Sequence, residues 1–438
     1  MSSTLPILGL GLALCQGAAF AQNPPAAPPN APLRLTLEDA LARARANSPD
    51  VLRANIDALL AREDTVQAKA ALLPSASSFN QFIYTQPNGS PTGVFVSNDG
   101  VHVYNNQAIV HGDIYAPEKM AGYRKAQVAE ALAHAKMEIA ARGLVATVVA
   151  DFYGMASAAR KQANAQQTLG EAQHFLDITE KQEKGGEVAH ADVVKAQVEM
   201  EQRKRETQEA QLALDKARLE FSVLLFPDFR QDFTVEDDLE TVHPLPAFPA
   251  IQALAANNNP DIRAAQATLE MQNWDLKAAR AARQPSLSFD YFFGLNGNQF
   301  ALHTPDGLRN YGSSAQAQLT IPLWTGGAAS SRIRQAELSI QQARNDLSFT
   351  QRQLLADLNS FYREADIAGL QIASLRRSME LSADSLKLTL EQYEAGECTA
   401  LEVVDAQSTL ADARNEYDDG LVRSRVALAN LQTLTGAF

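Results

Sequence analysis

Cysteine is nearly missing from this chain: only Cys15 and Cys398 occur in 438 residues. No framework of disulfides can be built from them, so the fold has to hold by packing. Aromatic residues make up 7%, and 38 Lys and Arg face 51 Asp and Glu for a formal net charge of −13. Basic residues form no cluster, which argues against a nucleic-acid partner, because neutralising phosphates requires grouped Lys and Arg. Catalytic signatures are missing too: no nucleophile elbow, phosphate loop or zinc motif places the available Ser, His and Asp, so neither enzyme chemistry nor a cofactor is expected. His102 and His111 lie an odd number of residues apart on one expected strand and so on opposite faces, while His174 and His190 are scattered along helices. None has the spacing of a metal site.

The hydrophobic run at the start of the chain is short. Residues 5–20 are apolar but fall short of the roughly 20 residues that a spanning helix needs. Residues 1–21 read better as a secretory signal peptide, since they end in the small-x-small pattern Ala19-Phe20-Ala21, although no Lys or Arg precedes the apolar run. A lipidated reading would use Cys15, where the preceding Leu14 is bulky for such a site. Residues 22–33 carry five prolines and form a flexible lead-in.

What the chain does have is repetition. Ser48-Pro49-Asp50 and Pro74-Ser75 return as Asn259-Pro260-Asp261 and Pro285-Ser286, and Phe152-Tyr153 returns as Phe361-Tyr362. Residues 186–197 align without a gap to 396–407. The offset of about 210 residues far exceeds a solenoid period of roughly 20 to 50, so each copy is a structural half. The halves are placed at 34–226 and 249–438, with 227–248 as an equatorial linker.

Each half opens on a pair of helices, expected at 36–47 and 49–73 and again at about 249–258 and 260–283. Pro49 and Pro260 stand at first helical positions, followed by Asp50 and Asp261 in the first turn. The period then changes to two. Leu287, Phe289, Tyr291, Phe293 and Leu295 alternate with Ser286, Ser288, Asp290, Phe292 and Gly294. Ala315, Ala317, Leu319, Ile321 and Leu323 alternate with Ser314, Gln316, Gln318, Thr320 and Pro322. Strands are thus expected at about 286–296 and 311–323, and less cleanly at about 75–85 and 101–115.

A small soluble sheet packed on the helices is one reading of these strands. Strands of about ten residues with one apolar face suit an outer-membrane barrel better, with Leu287, Phe289, Tyr291, Phe293, Leu319 and Ile321 toward lipid. Barrel edges must close, and one chain has too few strands for a barrel with a usable lumen, so several copies must contribute. The rest of each half is long helix, expected as hairpins over about 117–226 and 328–436. No proline interrupts 328–438, and a seam spaced by three and four runs from Ile333 through Ile340, Leu347, Leu354, Phe361, Ile372 and Leu386 to Tyr393. An arm over 328–395 is on the order of 100 Å long.

The signal peptide, the doubled order of helix pair, β-hairpin and long helical hairpin, and the strand-to-helix signature Ile321-Pro322-Leu323-Trp324-Thr325-Gly326-Gly327 together resemble the TolC family of outer-membrane efflux channels. The tip sequence Gly396-x-Cys398-Thr399-x-Leu401-Glu402-Val403-Val404-Asp405-Ala406-Gln407 points the same way. The resemblance spans essentially the whole mature chain. It implies a mainly α protein with a membrane β-barrel contribution: a homotrimer in which twelve strands form one barrel in outer-membrane lipid and twelve helices continue it as a periplasmic tunnel. A periplasmic adaptor and an inner-membrane pump are the implied partners, and passive export the implied function. Carried over by position, the periplasmic gate falls on Asp192, Tyr393, Glu402 and Asp405. The adaptor-docking tips fall on Gly186, Glu187 and Val188 and on Gly396, Glu397 and Cys398. Cys398 stands where the family's best-known member has a basic partner, so the sequence does not supply that half of the family's salt-bridge latch at this position. An isolated acid on a coiled-coil face is otherwise a solvated charge. The competing reading is a periplasmic coiled-coil adaptor or scaffold that never spans the membrane.

Overall fold

In a computed structural model the chain is described over residues 33–85, 101–241, 244–297 and 299–436. The expected signal peptide, Cys15 and most of the lead-in lie outside the described residues. Two short strands, β1 (Leu33–Leu35) and β4 (Phe233–Val235), flank a repeating series. The first half holds α1 (Leu37–Asn47), α2 (Pro49–Ala70), β2 (Ser75–Thr85), β3 (Val101–Tyr115), α3 (Pro117–Gly185) and α4 (His190–Leu225). The second holds α5 (Phe248–Asn258), α6 (Pro260–Ala281), β5 (Ser286–Gly297), β6 (Tyr311–Thr320), α7 (Ala328–Glu394) and α8 (Ala400–Thr435).

The repeated Ser/Asn-Pro-Asp is a helix start. Ser48 Oγ accepts the Val51 N–H at 3.5 Å, and its counterpart Asn259 Oδ1 accepts the Ile262 N–H at 3.0 Å. In both copies the capping oxygen satisfies a backbone donor that the helix cannot, while proline occupies the position whose N–H has no partner.

Strands β2, β3, β5 and β6 form one antiparallel sheet in that order. Its register gathers the alternation onto two faces. Leu287 stands opposite Leu319, Phe289 opposite Ala317, and Tyr291 between Ala315 and Val110, which makes one face apolar. Asp290 stands between Gln316 and His111 on the other face, where His111 Nδ1 lies 2.7 Å from Asp290 Oδ1. At the end of the sheet away from the helices, Phe82 packs on Tyr104 with ring centres 4.9 Å apart and Phe293 on Tyr311 at 5.0 Å. Both outer edges, β2 and β6, lack a strand partner among the described residues.

The structure shortens one expected strand. β6 ends at Thr320, so Ile321 lies beyond the ladder rather than in a lipid-facing strand. Pro322 has no N–H to continue the pairing. Leu323 and Trp324, just past it, are 92% and 88% exposed.

Helices α3 (Pro117–Gly185) and α7 (Ala328–Glu394) run the length of the helical part. Beside the sheet the lateral order is α2, α3, α6, α7, and toward the far end it becomes α4, α3, α8, α7. The expected seam of α7 is buried at Ala336, Ile340, Ala343, Leu354, Leu358, Ala365, Ala368, Ser382, Leu386 and Tyr393. Between the two zones, β1 and β4 pair in parallel from Leu33 with Phe233 to Leu35 with Val235. Phe233 there meets Phe221 and Phe226, and Phe221 in turn meets Phe152, in the largest buried cluster. Arg160 on α3 binds the linker acid Asp237 and reaches Asp418 on α8 at 3.2 Å, which fastens the linker to both helices.

Candidate functional site

The far end of the molecule consists of two helical turns that share one backbone solution. α3 is capped by Gly186 (φ 77°), whose N–H donates to the Glu183 carbonyl, while the Glu187 N–H donates to the Gln182 carbonyl at 2.9 Å. In the second turn Gly396 (φ 76°) donates to the Tyr393 carbonyl and Glu397 to the Gln392 carbonyl at 2.8 Å. The left-handed glycine lets the chain reverse while the last carbonyls stay bonded. Gly186, Glu187, Gly396 and Glu397 are exposed at the tips, with Val188 and Cys398 half-buried beside them.

The returning helices start differently. In α8 the Thr399 hydroxyl and the Glu402 carboxylate form a reciprocal capping box. α4 begins at Ala189 without a side-chain cap. Its turn is instead spanned by His190 Nδ1, 2.7 Å from Glu183 Oε1 in the last turns of α3. Behind these turns lies a small core in which Phe175, Ala196, Leu386, Tyr393, Ala400, Val403 and Leu410 are buried together.

The four expected gate residues separate into two kinds. Tyr393 is 3% exposed, so within one chain it is a core residue. Its ring stands edge-on to Phe175 at 5.1 Å, and its hydroxyl reaches Thr179 Oγ1 at 3.5 Å, which ties α7 to α3. Burial pushes the Tyr393 phenol above its ordinary value. The acids stay at the surface: Glu402 and Asp405 are exposed, and the Asp405 carboxylate has no bonding partner among the described residues. Asp192 in the first turn of α4 is held by Lys195 Nζ at 3.1 Å. In the second repeat that lysine is replaced by Asp405, so the second tip is the more acidic of the two. Cys398 points inward: its thiol donates to the Thr389 carbonyl at 3.3 Å, and burial followed by the nearby Glu402 charge pushes it up.

Sequence reasoning missed the groups that bind the two hairpins to each other. Gln407, 1% exposed, donates to the Glu171 carbonyl at 3.3 Å, and Arg414 Nη2 lies 3.0 Å from Glu171 Oε1. The signal was available, since Gln407 ends the aligned tip segment whose counterpart is Gln197. Among the described residues no three His, Cys, Asp or Glu side chains are grouped to hold a metal.

With this geometry in place, comparison with known proteins is specific. Residues 40–225 and 252–437 match the family described as outer membrane efflux protein, which is nearly all of both halves. Outer membrane protein OprJ of Pseudomonas aeruginosa is 28% identical over 190 residues, covering 42% of this chain and 38% of that protein. Outer membrane protein TolC of Vibrio cholerae is 24% identical over 40% of this chain and 42% of its own length. The match to these two relatives thus spans about two fifths of their length. Alkaline protease secretion protein AprF of Pseudomonas aeruginosa is 20% identical over 92% of this chain and 85% of its own. Among solved structures, the outer-membrane channel OprN superposes with a TM-score of 0.82 at 16% identity over 92% of this chain and 90% of that one. VceC of Vibrio cholerae gives 0.81 at 16% identity over 91% and 96%. The shared fold is that of outer-membrane channels.

Proposed function

This chain belongs to the outer membrane efflux protein family, and we propose that three copies of it form a passive conduit through the outer membrane and into the periplasm. The observation that carries this reading is that, among the described residues, both the sheet and the helical layer beside it have two open edges of matching character. In the sheet the edges are β2 and β6, whose unpaired backbone groups have no water to bond to in a bilayer. In the helical layer beside the sheet, α2 exposes Leu52, Ile56, Leu59 and Val66 at one edge, and α7 exposes Leu338 and Phe349 at the other. Joining the α7 edge of one copy to the α2 edge of the next is a heterologous contact, which yields a ring where the rotation closes. Three copies supply twelve strands, a number well within the range of outer-membrane barrels.

A periplasmic adaptor would have no use for a sheet with one apolar face. In the trimer the tips converge, and rings of Glu402 and Asp405 favour cations at a narrow mouth. The tip turns then dock a periplasmic adaptor that couples the conduit to an inner-membrane pump. Relatives named for protease secretion and for pyoverdine export differ in cargo, so the pump, not the tube, is assigned the choice of substrate.

The assembly is tested by mass measurement of purified protein in detergent. Wild type is expected as a trimer, and Ile56→Glu combined with Leu59→Glu as a monomer. A wild-type monomer that binds no copy of itself contradicts the proposal.

A further inference from the structure

Where the sheet meets the helices, the end of β3, the ends of α2 and α6 and the start of α3 enclose a cavity of about 600 Å³. One part of its lining is apolar, made by Leu72, Ile114, Tyr115 and Met120. The other part is basic and aromatic, made by Trp274, Lys277 and Arg280 of α6. Tyr115 fixes which side of the sheet the cavity belongs to. In the register it stands opposite Leu287, on the apolar face, and its hydroxyl donates to Gln284 Oε1 at 3.1 Å. The cavity therefore sits at the level where the apolar band of the sheet ends and the water-exposed helices begin. Tyr and Trp concentrate at that depth of a bilayer.

Its charges are unevenly satisfied. Lys277 Nζ stands 3.6 Å from the centre of the Trp274 ring, and no carboxylate pairs with it among the described residues. Arg280 Nη2 lies 3.3 Å from Glu337 Oε1 in a pair that is about half exposed on both sides. The one acid in the lining, Asp113, is already held by Lys119. The basic side thus retains an uncompensated cation beside an arginine with free donors, and the apolar side exposes Ile114 at 61%.

We infer that this cavity holds the headgroup of an anionic phospholipid from the periplasmic leaflet. The phosphate lies between Lys277 and Arg280, and an acyl chain runs over Ile114 toward Tyr115 and Leu287. Aromatic support desolvates Lys277 on one side and leaves the other for a phosphate. A zwitterionic lipid gains less at this site, because its own cation has to share it with two basic groups. Basic pockets at a membrane surface select anionic headgroups in this way. The inference rests on the membrane reading, since only a chain in contact with a bilayer meets such a lipid.

The chain has two tryptophans, Trp274 and Trp324, so Trp324→Phe leaves Trp274 as the only indole, which is excited selectively at wavelengths where tyrosine does not absorb. Trp324 is 88% exposed, so its ring packs little against the rest of the chain. Detergent-solubilised full-length Trp324→Phe protein is titrated with phosphatidylglycerol or phosphatidylcholine carrying brominated chains, which quench indole on contact. Saturable quenching is expected at about fivefold lower mole fraction of phosphatidylglycerol than of phosphatidylcholine, as two basic groups of which one is partly engaged would give. Excess inorganic phosphate, which shares the charge but has no chains, is expected to leave the quenching by brominated phosphatidylglycerol in place; its displacement by phosphate would assign the site to a free anion and overturn the lipid reading. Lys277→Gln with Arg280→Gln makes the two lipids equivalent. Equal quenching of the Trp324→Phe protein by both lipids, or a preference that survives the double substitution, overturns the inference and leaves Lys277 as a helix-surface stack on Trp274. Protein that shows no preference yet conducts in planar bilayers keeps the channel reading and loses only the lipid site.

Discussion

Glu402 and Thr399 hold each other across the first turn of α8. The Glu402 carboxylate accepts the Thr399 N–H at 3.0 Å, and Thr399 Oγ1 accepts the Glu402 N–H at 3.4 Å. The acid assigned to the gate is therefore also a helix cap, and two substitutions separate the roles. Glu402→Gln keeps an acceptor at the third helical position and removes the charge, so cation preference is expected to fall while stability stays within about 0.5 kcal/mol. Glu402→Ala removes both and should also cost about 1 kcal/mol. Reversal potentials in a salt gradient, read beside thermal melts, check this. An unchanged potential in Glu402→Gln would reduce the residue to a cap.

Tyr393 is predicted to act by holding α7 on α3 rather than by lining the mouth. Tyr393→Phe loses one long hydrogen bond to Thr179, worth less than about 1 kcal/mol. Tyr393→Ala removes the ring against Phe175 and leaves a void that costs about 3–5 kcal/mol. Hydrogen exchange at the end of α7 should be close to wild type in the first variant and markedly faster in the second. Slow exchange in Tyr393→Ala would mean that the tip is held elsewhere.

Two carboxylates give opposite responses to pH. Burial, and then the charge of Glu220, hold the Asp151 carboxyl above its ordinary 3.8. Such a group contributes stability below its ordinary pKa and loses it as pH rises through the folded value. Asp151→Asn is accordingly more stable than wild type at neutral pH, by up to about 1 kcal/mol for this partly exposed group, with the advantage vanishing in acid. At Glu138 burial pulls upward, but hydrogen bonds from Arg263 and Arg142 outweigh it and hold the carboxyl below its ordinary 4.5. Its contribution is present above that value and is lost as pH falls through the folded one. Glu138→Gln should be the less stable protein at neutral pH and converge with wild type in acid. Melting temperatures across the acid range that show the same trend for both variants would refute this account of the two sites.

Gly294 marks the tightest point of the sheet. Its φ is +154°, and a methyl group there would run into the backbone carbonyl of Asn106 on β3. Gly294→Ala is predicted to break the β3–β5 ladder and sharply lower the yield of assembled trimer on native gels. A normal yield would show that the sheet can shift to accommodate a side chain.

Much of this architecture was legible because long elements write long patterns. The alternation from Ser286 to Leu295 and the spacing of the α7 seam located β5 and α7 to within a residue or two. Strands β1 and β4 escaped because three residues each are too few to show a period, and their pairing joins positions about 200 residues apart. Proline at 322 was visible, yet the apolar sequence Ile321 to Trp324 made the strand look longer than β6 is. At the tips, position alone assigned Tyr393 together with the three acids. Only packing shows that Tyr393 is core, Asp192 half-buried and Glu402 and Asp405 exposed, because a tyrosine on a seam serves either use equally well in sequence.

Three copies of this chain are proposed to make one water-filled tube with an acidic mouth. This is tested most directly by planar-bilayer recording on detergent-purified protein of measured mass, with wild type beside Glu402→Gln combined with Asp405→Asn. The wild type is expected as a trimer that produces discrete, cation-preferring conductance steps, and the variant is expected to conduct with that preference reduced. A purified protein that remains monomeric and leaves the bilayer silent contradicts the proposal.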